Sequence, residues 1–298
     1  MGSGMRAAPY ATIAVAILAV SCATLFIKYT ESPTLVVAFY RMGLATLLVL
    51  PFALRAPDLR TLSPRGHGLL VLTGVILAVH FATWISSLKE NRVDTAASLT
   101  LVTSHPLLVA VVSHFAFRER LRRLTAVGVA LGLSGVAVIA LGSGTAAGTG
   151  LGNALALVGG VMAGLYILAG RRFRQRLSLA TYAFVVYAYA TATLLLMTFA
   201  TGLTPVPTAT DPVREGLLFL ALAGISQIGG HTLYNWALKY VPATTVSVSL
   251  LGEPILGSAL VWAFLGEVPA SAVALGAALA LPGIFLTGYS LERGKSPP

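Results

Sequence analysis

Two groups of polar residues lie inside long apolar stretches, and within each group the spacing is that of one helix face. The first group is His80, Thr83, Trp84 and Ser87, and the second is Gln227, His231, Tyr234 and Asn235. Polar side chains are costly inside hydrocarbon, so these residues are candidates for binding a polar solute. Hydrogen bonding between neighbouring helices is the alternative role for them. We expect His80 and His231 to line a cavity, where Trp84 and Tyr234 can stack on a solute.

Other candidates for solute binding lie in neighbouring apolar stretches. Met162 and Tyr166 are one helical turn apart, and the flexible thioether of a methionine adapts to varied apolar ligands. The predicted substrate-binding residues are His80, Thr83, Trp84, Ser98, Met162, Tyr166, Gln227, His231 and Tyr234.

Pro106 and Pro254 each lie in the middle of an apolar stretch. A proline removes one backbone donor and frees a carbonyl one turn earlier, so a helix that contains a proline bends. Inside a membrane the freed carbonyl must be satisfied by a neighbour or by water in a cavity. We therefore expect kinks that shape the binding site or act as pivots for gating, with a purely static kink as the alternative.

Two charged residues lie away from the ends of their apolar stretches. Glu253 could carry a proton, pair with a substrate ammonium, or brace the backbone beside Pro254, and we favour the structural role. Arg41 is expected to extend its charged end toward the membrane surface, because a long side chain about two turns from a helix end can do so. Pairing of Arg41 with Glu253 or with a substrate carboxylate is the alternative.

The sequence lacks the motifs of several other protein classes. It has no G-x-x-x-x-G-K-[ST] loop, so we expect no ATP-driven transport by this chain alone. It has no H-E-x-x-H motif, and the adjacent Ser104 and His105 face different directions on a helix, so they form no catalytic pair. It also lacks the ring of like charges expected of a channel. We expect neither an enzyme nor a bound cofactor or metal ion, and an intramembrane enzyme is the alternative class.

The elements that must position these residues are membrane-spanning helices. Only 10% of the 298 residues are charged and 56% are hydrophobic, whereas soluble domains carry about 25% charged residues. Apolar stretches of about 20 residues are long enough to cross a bilayer as helices. The predicted spans are residues 10–29, 33–54, 67–88, 93–115, 123–142, 151–170, 178–202, 215–238, 243–265 and 270–290.

The positive charges are distributed unevenly between the two sides of the predicted bundle. Fifteen of the 20 Lys and Arg residues fall on the side that carries both chain termini, and four fall on the other side. Because cytoplasmic loops are rich in Lys and Arg, we place both termini in the cytoplasm and the chain in a bacterial-type cytoplasmic membrane. The net charge of +10 then anchors the topology, and we expect no binding to nucleic acid.

The sequence also contains an internal repeat. Residues 95–119 match residues 243–267 at a constant offset of 148, with Pro106 opposite Pro254. Each half therefore holds five predicted spans, and because five is odd, the halves must have inverted topology. The two repeats are residues 1–147 and 148–298.

These motifs resemble those of a known transporter group. Pro106 and Pro254 lie in the middle of matching spans that end in Glu119 and Glu267, as in the drug/metabolite transporter (DMT) superfamily, EamA type. The resemblance extends to the YddG-like aromatic amino-acid exporters of that superfamily. It implies ten helices arranged around a central cavity and transport by alternating access. The Glu-Pro motif is matched by Glu253, whereas the first repeat has His105 in that place.

The expected fold is therefore an all-α polytopic membrane protein in which two inverted five-helix repeats surround a central cavity. The expected function is that of a secondary transporter which exports amino acids or related small metabolites. Export of other solutes, such as drugs or nucleosides, is the alternative, and both proton-coupled and facilitated transport stay open. The expected partners are a small-molecule substrate and the lipid bilayer, and we expect the chain to act as a monomer.

Overall fold

Helices form all of the regular secondary structure in the residues described by a computed structural model of the protein, namely 3–89, 93–107, 122–142 and 149–293. The helices are α1 (Ser3–Tyr29), α2 (Thr34–Leu54), α3 (Pro64–Leu88), α4 (Thr95–Val102), α5 (Arg123–Gly142), α6 (Thr149–Phe173), α7 (Leu179–Ala200), α8 (Pro212–Ala237), α9 (Ala243–Ser249), α10 (Gly252–Leu265) and α11 (Ser271–Arg293). A short 3₁₀ turn, Pro57–Leu59, lies between α2 and α3.

Eight helical segments of the described chain are long and apolar enough to cross a membrane. They are α1, α2, α3, α6, α7, α8, the combined α9–α10 segment and α11. Helix α5 is apolar but shorter, over Arg123–Ile139. Most of these helices begin and end within a few residues of the predicted spans. Part of the fourth predicted span, residues 108–115, lies outside the described residues. The chain is therefore a polytopic membrane protein.

Side-chain caps fix where several helices begin. The carboxylate of Asp211 accepts hydrogen bonds from two backbone N–H groups at the start of α8, and Asp94 does the same for α4. Ser63 and Ser178 cap α3 and α7 through their hydroxyls. These side chains satisfy backbone donors that have no partner within their own helix, so they stop the helix at that residue.

The spans that contain Pro106 and Pro254 are broken rather than bent. Helix α4 ends at Val102 in a turn, and the chain becomes helical again at residues 105–107. Helix α9 ends at Ser249, and Pro254 lies in the first turn of α10, where a missing N–H costs no internal hydrogen bond. The prolines thus start new helical segments, whereas the sequence predicted kinks in continuous helices.

The helices pack in a regular set of pairs. Helix α1 packs against α8 and α10, while α6 packs against α3 and α4. Helix α2 packs against α7, and α5 against α11. The last pair is very close because glycines face each other: a Cβ atom at Gly135 would lie 2.3 Å from the Ala280 nitrogen. Small residues at such crossings allow close van der Waals contact, which drives helix association in lipid.

One end of the bundle is joined by carboxylates. Glu267 accepts a hydrogen bond from the backbone N–H of Thr95 at 2.9 Å and forms an ion pair with Lys28. Glu215 accepts from the backbone N–H of Ser32 at 3.0 Å. Hydrogen bonds of this kind to a charged acceptor are stronger than neutral ones. We call this the acidic end, and it comprises residues 28–33, 93–95, 205–215 and 266–271.

The opposite end is joined mainly by arginines. Arg171 donates to the carbonyl of Leu238 at 2.6 Å, and Arg174 donates from Nε to the carbonyl of Asn235 at 3.1 Å. These bonds hold the end of α6 against the turn that follows α8, whose last carbonyls lack helical partners. We call this the basic end, and it comprises residues 55–63, 171–178 and 238–242.

Candidate functional site

A cavity of about 40 Å³ lies between the two ends, enclosed by α3, α6, α8 and the segments at both helix breaks. Five of the nine predicted binding residues line it, namely His80, Trp84, Tyr166, His231 and Tyr234, and so does Glu253. Thr103, His105 and Asn235 also line the cavity. Both helix breaks therefore open onto the cavity, since His105 and Glu253 immediately precede Pro106 and Pro254.

Four predicted binding residues lie outside this lining. The Thr83 hydroxyl donates to the Val79 carbonyl at 2.8 Å, within its own helix. The Ser98 hydroxyl is buried 2.6 Å from that of Ser87, so it joins α4 to α3. Met162 is partly buried on α6 but does not reach the cavity. Gln227 is fully buried and faces α2.

His80 is held in place by its neighbours on α6. Its Nδ1 atom lies 2.9 Å from the carbonyl oxygen of Gly159, and its ring stacks with that of Trp84 at 5.9 Å between centroids. A side chain at position 159 would press on α3, because an added Cβ would lie 3.3 Å from Cβ of Trp84. The glycine therefore allows the close approach that fixes the histidine, which fits a rigid cavity wall.

His231 lies in a very different helix segment. Residues Leu222–Thr232 of α8 form a π-helix, a conformation that is rare in proteins and frequent at functional sites. The His231 ring contacts the rings of Phe81 at 5.3 Å and Tyr166 at 6.4 Å. Nearby, Asn235 donates to the Tyr166 hydroxyl at 2.6 Å. The second histidine is thus placed by ring packing on a wider helical turn.

Several polar atoms of the cavity lining have no hydrogen-bond partner among the described residues. They are Nε1 of Trp84, Nε2 of His105 and the hydroxyl of Tyr234, and all three are buried. Buried polar groups without a partner are rare in proteins, because each costs about 1–3 kcal/mol. These three atoms make the cavity a candidate site, where water or the polar groups of a bound molecule can supply the partners.

The structure corrects the expectation for Arg41. Its side chain is fully buried and does not extend to the membrane surface. The Nε atom donates to Gln227 Oε1 at 3.0 Å, and the guanidinium carbon lies 4.1 Å from the ring centroid of Phe81. Position 41 is about 10 Å along α2 from its first residue, and partners on α3 and α8 are closer to it than the surface. The feature of the sequence that indicates this burial is a charged residue in the middle of a predicted span.

The cavity between the described residues is small. A volume of 40 Å³ holds a few water molecules, while pockets for small organic ligands measure about 300–1,000 Å³.

A membrane-spanning helical bundle around a cavity lined by aromatic rings and a few polar groups is an architecture of solute transporters. The model of the EamA-like transporter family matches residues 7–141 and, a second time, residues 150–289. The chain therefore belongs to the EamA-like transporter family of the DMT superfamily, and it is a membrane transporter.

Known proteins of similar sequence bear transporter names. The uncharacterized transporter YdfC of Bacillus subtilis (strain 168) is 22% identical over 276 residues, which cover 87% of each chain. An uncharacterized transporter of Clostridium kluyveri is 23% identical over 260 residues, covering 85% of this chain and 82% of that one. A solved crystal structure with 22% identity has a TM-score of 0.64 and covers 97% of this chain and 99% of its own. The fold is thus shared across nearly the whole length.

Proposed function

We propose that the protein is a secondary transporter that exports amino acids or related small metabolites by alternating access. The observation that carries this proposal is the cavity, whose lining comes from both halves of the chain and contains buried polar atoms in need of partners. A cavity midway between two separately joined ends fits a substrate site that opens to one side at a time.

Inverted repeats over residues 1–147 and 148–298, each with five spans, are part of the proposal. One support is that the family model matches the chain twice. Another is the helix packing: the symmetry would exchange α1 with α6 and α8 with α3, and helix α1 packs against α8 as α6 packs against α3. Asp58 accepts from the backbone N–H of Ser178 just before α7, and Glu215 accepts from Ser32 just before α2. Each half therefore caps the second helix of the other half, at opposite ends.

We propose that the basic end and both termini face the cytoplasm of a bacterial-type cell. The support is the uneven distribution of Lys and Arg, of which 15 out of 20 lie on this side. Export then means that substrate binds from the basic end and leaves through the acidic end.

The substrate class is argued from the lining of the cavity. Aromatic rings at Trp84, Tyr166 and Tyr234 offer flat apolar surfaces, while Glu253 offers a negative charge for an ammonium group. This combination suits an amino acid with an apolar or aromatic side chain, as the resemblance to aromatic amino-acid exporters implies. Glu253 also follows a helix break. Binding an ammonium group and bracing the backbone at this break are compatible roles for it.

Counterflow in proteoliposomes tests this function. Vesicles with purified protein are preloaded with unlabelled amino acids, nucleosides or sugars, and labelled solute of the same kind is added outside. We expect transient, saturable accumulation with one or more amino acids. Counterflow restricted to nucleosides or drugs contradicts the substrate class, and no counterflow of any solute by demonstrably folded protein contradicts transport.

A histidine pair sharpens this test. His80→Ala should raise the KM for the transported amino acid about tenfold, because the variant removes a wall residue and frees the Gly159 carbonyl. His67→Ala is the matched control: this histidine also lies on α3, but bonds to the Tyr189 hydroxyl at 2.7 Å near the basic end. Equal KM changes in the two variants would contradict the placement of the site.

A further inference from the structure

The guanidinium of Arg41 is buried, and two of its nitrogens lack acceptors. Among the described residues, Nη1 and Nη2 of Arg41 have no hydrogen-bond partner. The Gln227 oxygen accepts from Arg41 Nε, which leaves the Gln227 amide nitrogen as a donor. The Tyr187 hydroxyl donates to Thr232 at 2.8 Å, since the Thr232 hydroxyl itself donates to the Gln227 carbonyl, and the Tyr187 oxygen is therefore open to the Gln227 amide. The two Nη groups of Arg41 still require an acceptor.

The charge of Arg41 is also left without a direct counter-ion. Ion pairs between described residues join Lys28 to Glu267 and Arg214 to Glu31, and neither includes Arg41. The carboxyl group of Glu253 is buried as well, and it forms no ion pair with Arg41. A buried guanidinium and a buried carboxyl group that do not touch leave room for a molecule that pairs with both.

The arginine lies beside the cavity. Its guanidinium carbon is 5.9 Å from the ring centroid of Trp84, which lines the cavity, and Phe81 packs against both the guanidinium and His231. Gln227 fixes the Nε edge and the Phe81 ring covers one face, so the two Nη groups keep a defined orientation. This is the arrangement that bidentate recognition of a carboxylate needs.

We propose that Arg41 binds the carboxylate of the transported substrate through Nη1 and Nη2, with Glu253 binding its ammonium group. The inference rests on the proposed function and makes it more specific: the substrate is a zwitterion with an α-amino acid headgroup. The positive and negative groups of the site are then matched one to one by those of the substrate.

Charge balance separates this substrate class from others. A phosphate ester would place up to two negative charges beside one arginine and close to Glu253, which would repel them. A simple amine would pair with Glu253 but leave Nη1 and Nη2 of Arg41 without acceptors. A zwitterion pairs with both Arg41 and Glu253, and it enters the membrane interior without adding net charge.

Three compounds of the same shape test the inference by competition with labelled L-phenylalanine for binding to the detergent-purified protein. L-Phenylalanine has both groups, phenethylamine lacks the carboxylate, and 3-phenylpropanoate lacks the ammonium. We expect the wild-type protein to bind L-phenylalanine about 10- to 100-fold more tightly than phenethylamine, the range for hydrogen bonds to a charged group. In Arg41→Met this preference should disappear, and in Arg41→Lys it should be partly retained.

The reciprocal variant and a control complete the experiment. Glu253→Gln should remove the preference over 3-phenylpropanoate and keep the preference over phenethylamine. Arg174→Met is the matched control, since Arg174 is equally a buried arginine but donates to backbone carbonyls at the basic end. It should leave both preferences unchanged, although it lowers stability. Unfolding temperatures of all variants, measured in parallel, separate loss of binding from loss of fold.

Several outcomes would overturn the inference. One is a wild-type protein that binds phenethylamine as tightly as L-phenylalanine, and another is one that binds none of the three compounds. A third is a folded Arg41→Met variant with an unchanged preference. If counterflow of amino acids is observed and the preference does not depend on Arg41, only this inference fails. If counterflow is restricted to uncharged solutes, the proposed function fails as well.

Discussion

The acidic end and the basic end of the bundle are closed by opposite chemistry. At the acidic end, carboxylates accept hydrogen bonds from backbone N–H groups of other helices, as Glu267 does from Thr95. At the basic end, Arg171 and Arg174 donate to backbone carbonyls. Carboxylates can be neutralised by acid, whereas an arginine stays charged at every ordinary pH. The two closures therefore differ in what can open them.

The same contrast suits a transporter that opens at one end at a time. The bonds at the acidic end involve no residue of the cavity lining, whereas those at the basic end reach the carbonyls of Asn235 and Leu238, which belong to the lining. The acidic end can therefore be weakened without touching the site. The following predictions test whether the ends are chemically distinct.

The largest effect is expected at the centre of the acidic end. Glu267→Ala removes the cap of Thr95 and leaves Lys28, whose side chain is 12% exposed, without its ion-pair partner. We expect the free energy of unfolding at pH 7 to fall by about 2–3 kcal/mol, since hydrogen bonds to charged groups are lost. Thermal unfolding in detergent measures this loss. A change below about 0.5 kcal/mol would mean that the ion pair contributes as little as a surface pair.

A somewhat smaller loss is expected at the basic end. Arg174→Met keeps the apolar packing of the stem but removes the bonds to the carbonyls of Asn235 and Leu177. We expect a decrease of about 1.5–2 kcal/mol in the free energy of unfolding. Measured at pH 4 and pH 7, the decrease should be the same. A decrease that changes strongly with pH would break the contrast between the two ends.

Acid should weaken the acidic end first. Burial raises the pKa of Glu267, but hydrogen bonds from Lys28 and Thr95 outweigh it and hold the pKa below its ordinary value of 4.5. Because the folded pKa is lowered, its stabilisation is complete above pH 4.5 and is lost as the pH falls through the folded value. Unfolding temperatures measured from pH 7 to pH 3 should fall less steeply in Glu267→Gln than in the wild-type protein. Identical slopes would show that other groups carry the acid sensitivity.

One carboxylate at the basic end needs its own control. Burial raises the pKa of Asp58, but its hydrogen bonds with Ser178 hold the pKa below the ordinary value of 3.8. Its contribution is therefore complete above pH 3.8 and is lost as the pH falls through the folded value. Asp58→Asn should alter only the most acidic part of the profile.

The smallest effects should be equal at both ends. Asp211 caps α8 at the acidic end through two N–H groups, and the Ser178 hydroxyl caps α7 at the basic end through Thr181. Replacing either residue by alanine should cost about 1 kcal/mol, the usual value of an N-cap. Similar losses at pH 7 would indicate that the ends differ in bonds between helices and not in how helices start. A loss of stability at one end alone would mean that the two ends differ in their helix caps.

Much of this arrangement could be predicted from the sequence, because membrane spans follow from apolar length alone. The placement of His80 and Trp84 at one cavity followed from their spacing on a regular α-helix. The same rule failed for Gln227, four residues before His231, because α8 is π-helical there and has more residues in each turn. The sequence carries no clear signal for that conformation.

The role of Arg41 could not be predicted, because it depends on partners that are distant in the chain. Gln227 is 186 residues away, and only the packing of α2 against α8 brings the two side chains together. A single long cation about two turns from a span end is satisfied equally well by the membrane surface. Contacts between helices decide whether the arginine is buried or extends to the membrane surface. The spacing of residues within one helix does not predict such contacts.

The central claim is that the cavity between the two ends is the substrate site. Ala163 lines this cavity, so Ala163→Cys in a Cys22→Ser background places a single thiol there. Its rate of reaction with a small methanethiosulfonate is measured with and without a saturating concentration of the amino acid that shows the strongest counterflow. Thr204→Cys, in an exposed segment at the acidic end, is the control. We predict that the amino acid slows the reaction at position 163 at least about tenfold, as expected of a site it fills, and leaves position 204 unchanged. An equal rate at position 163 with and without the amino acid would contradict the account.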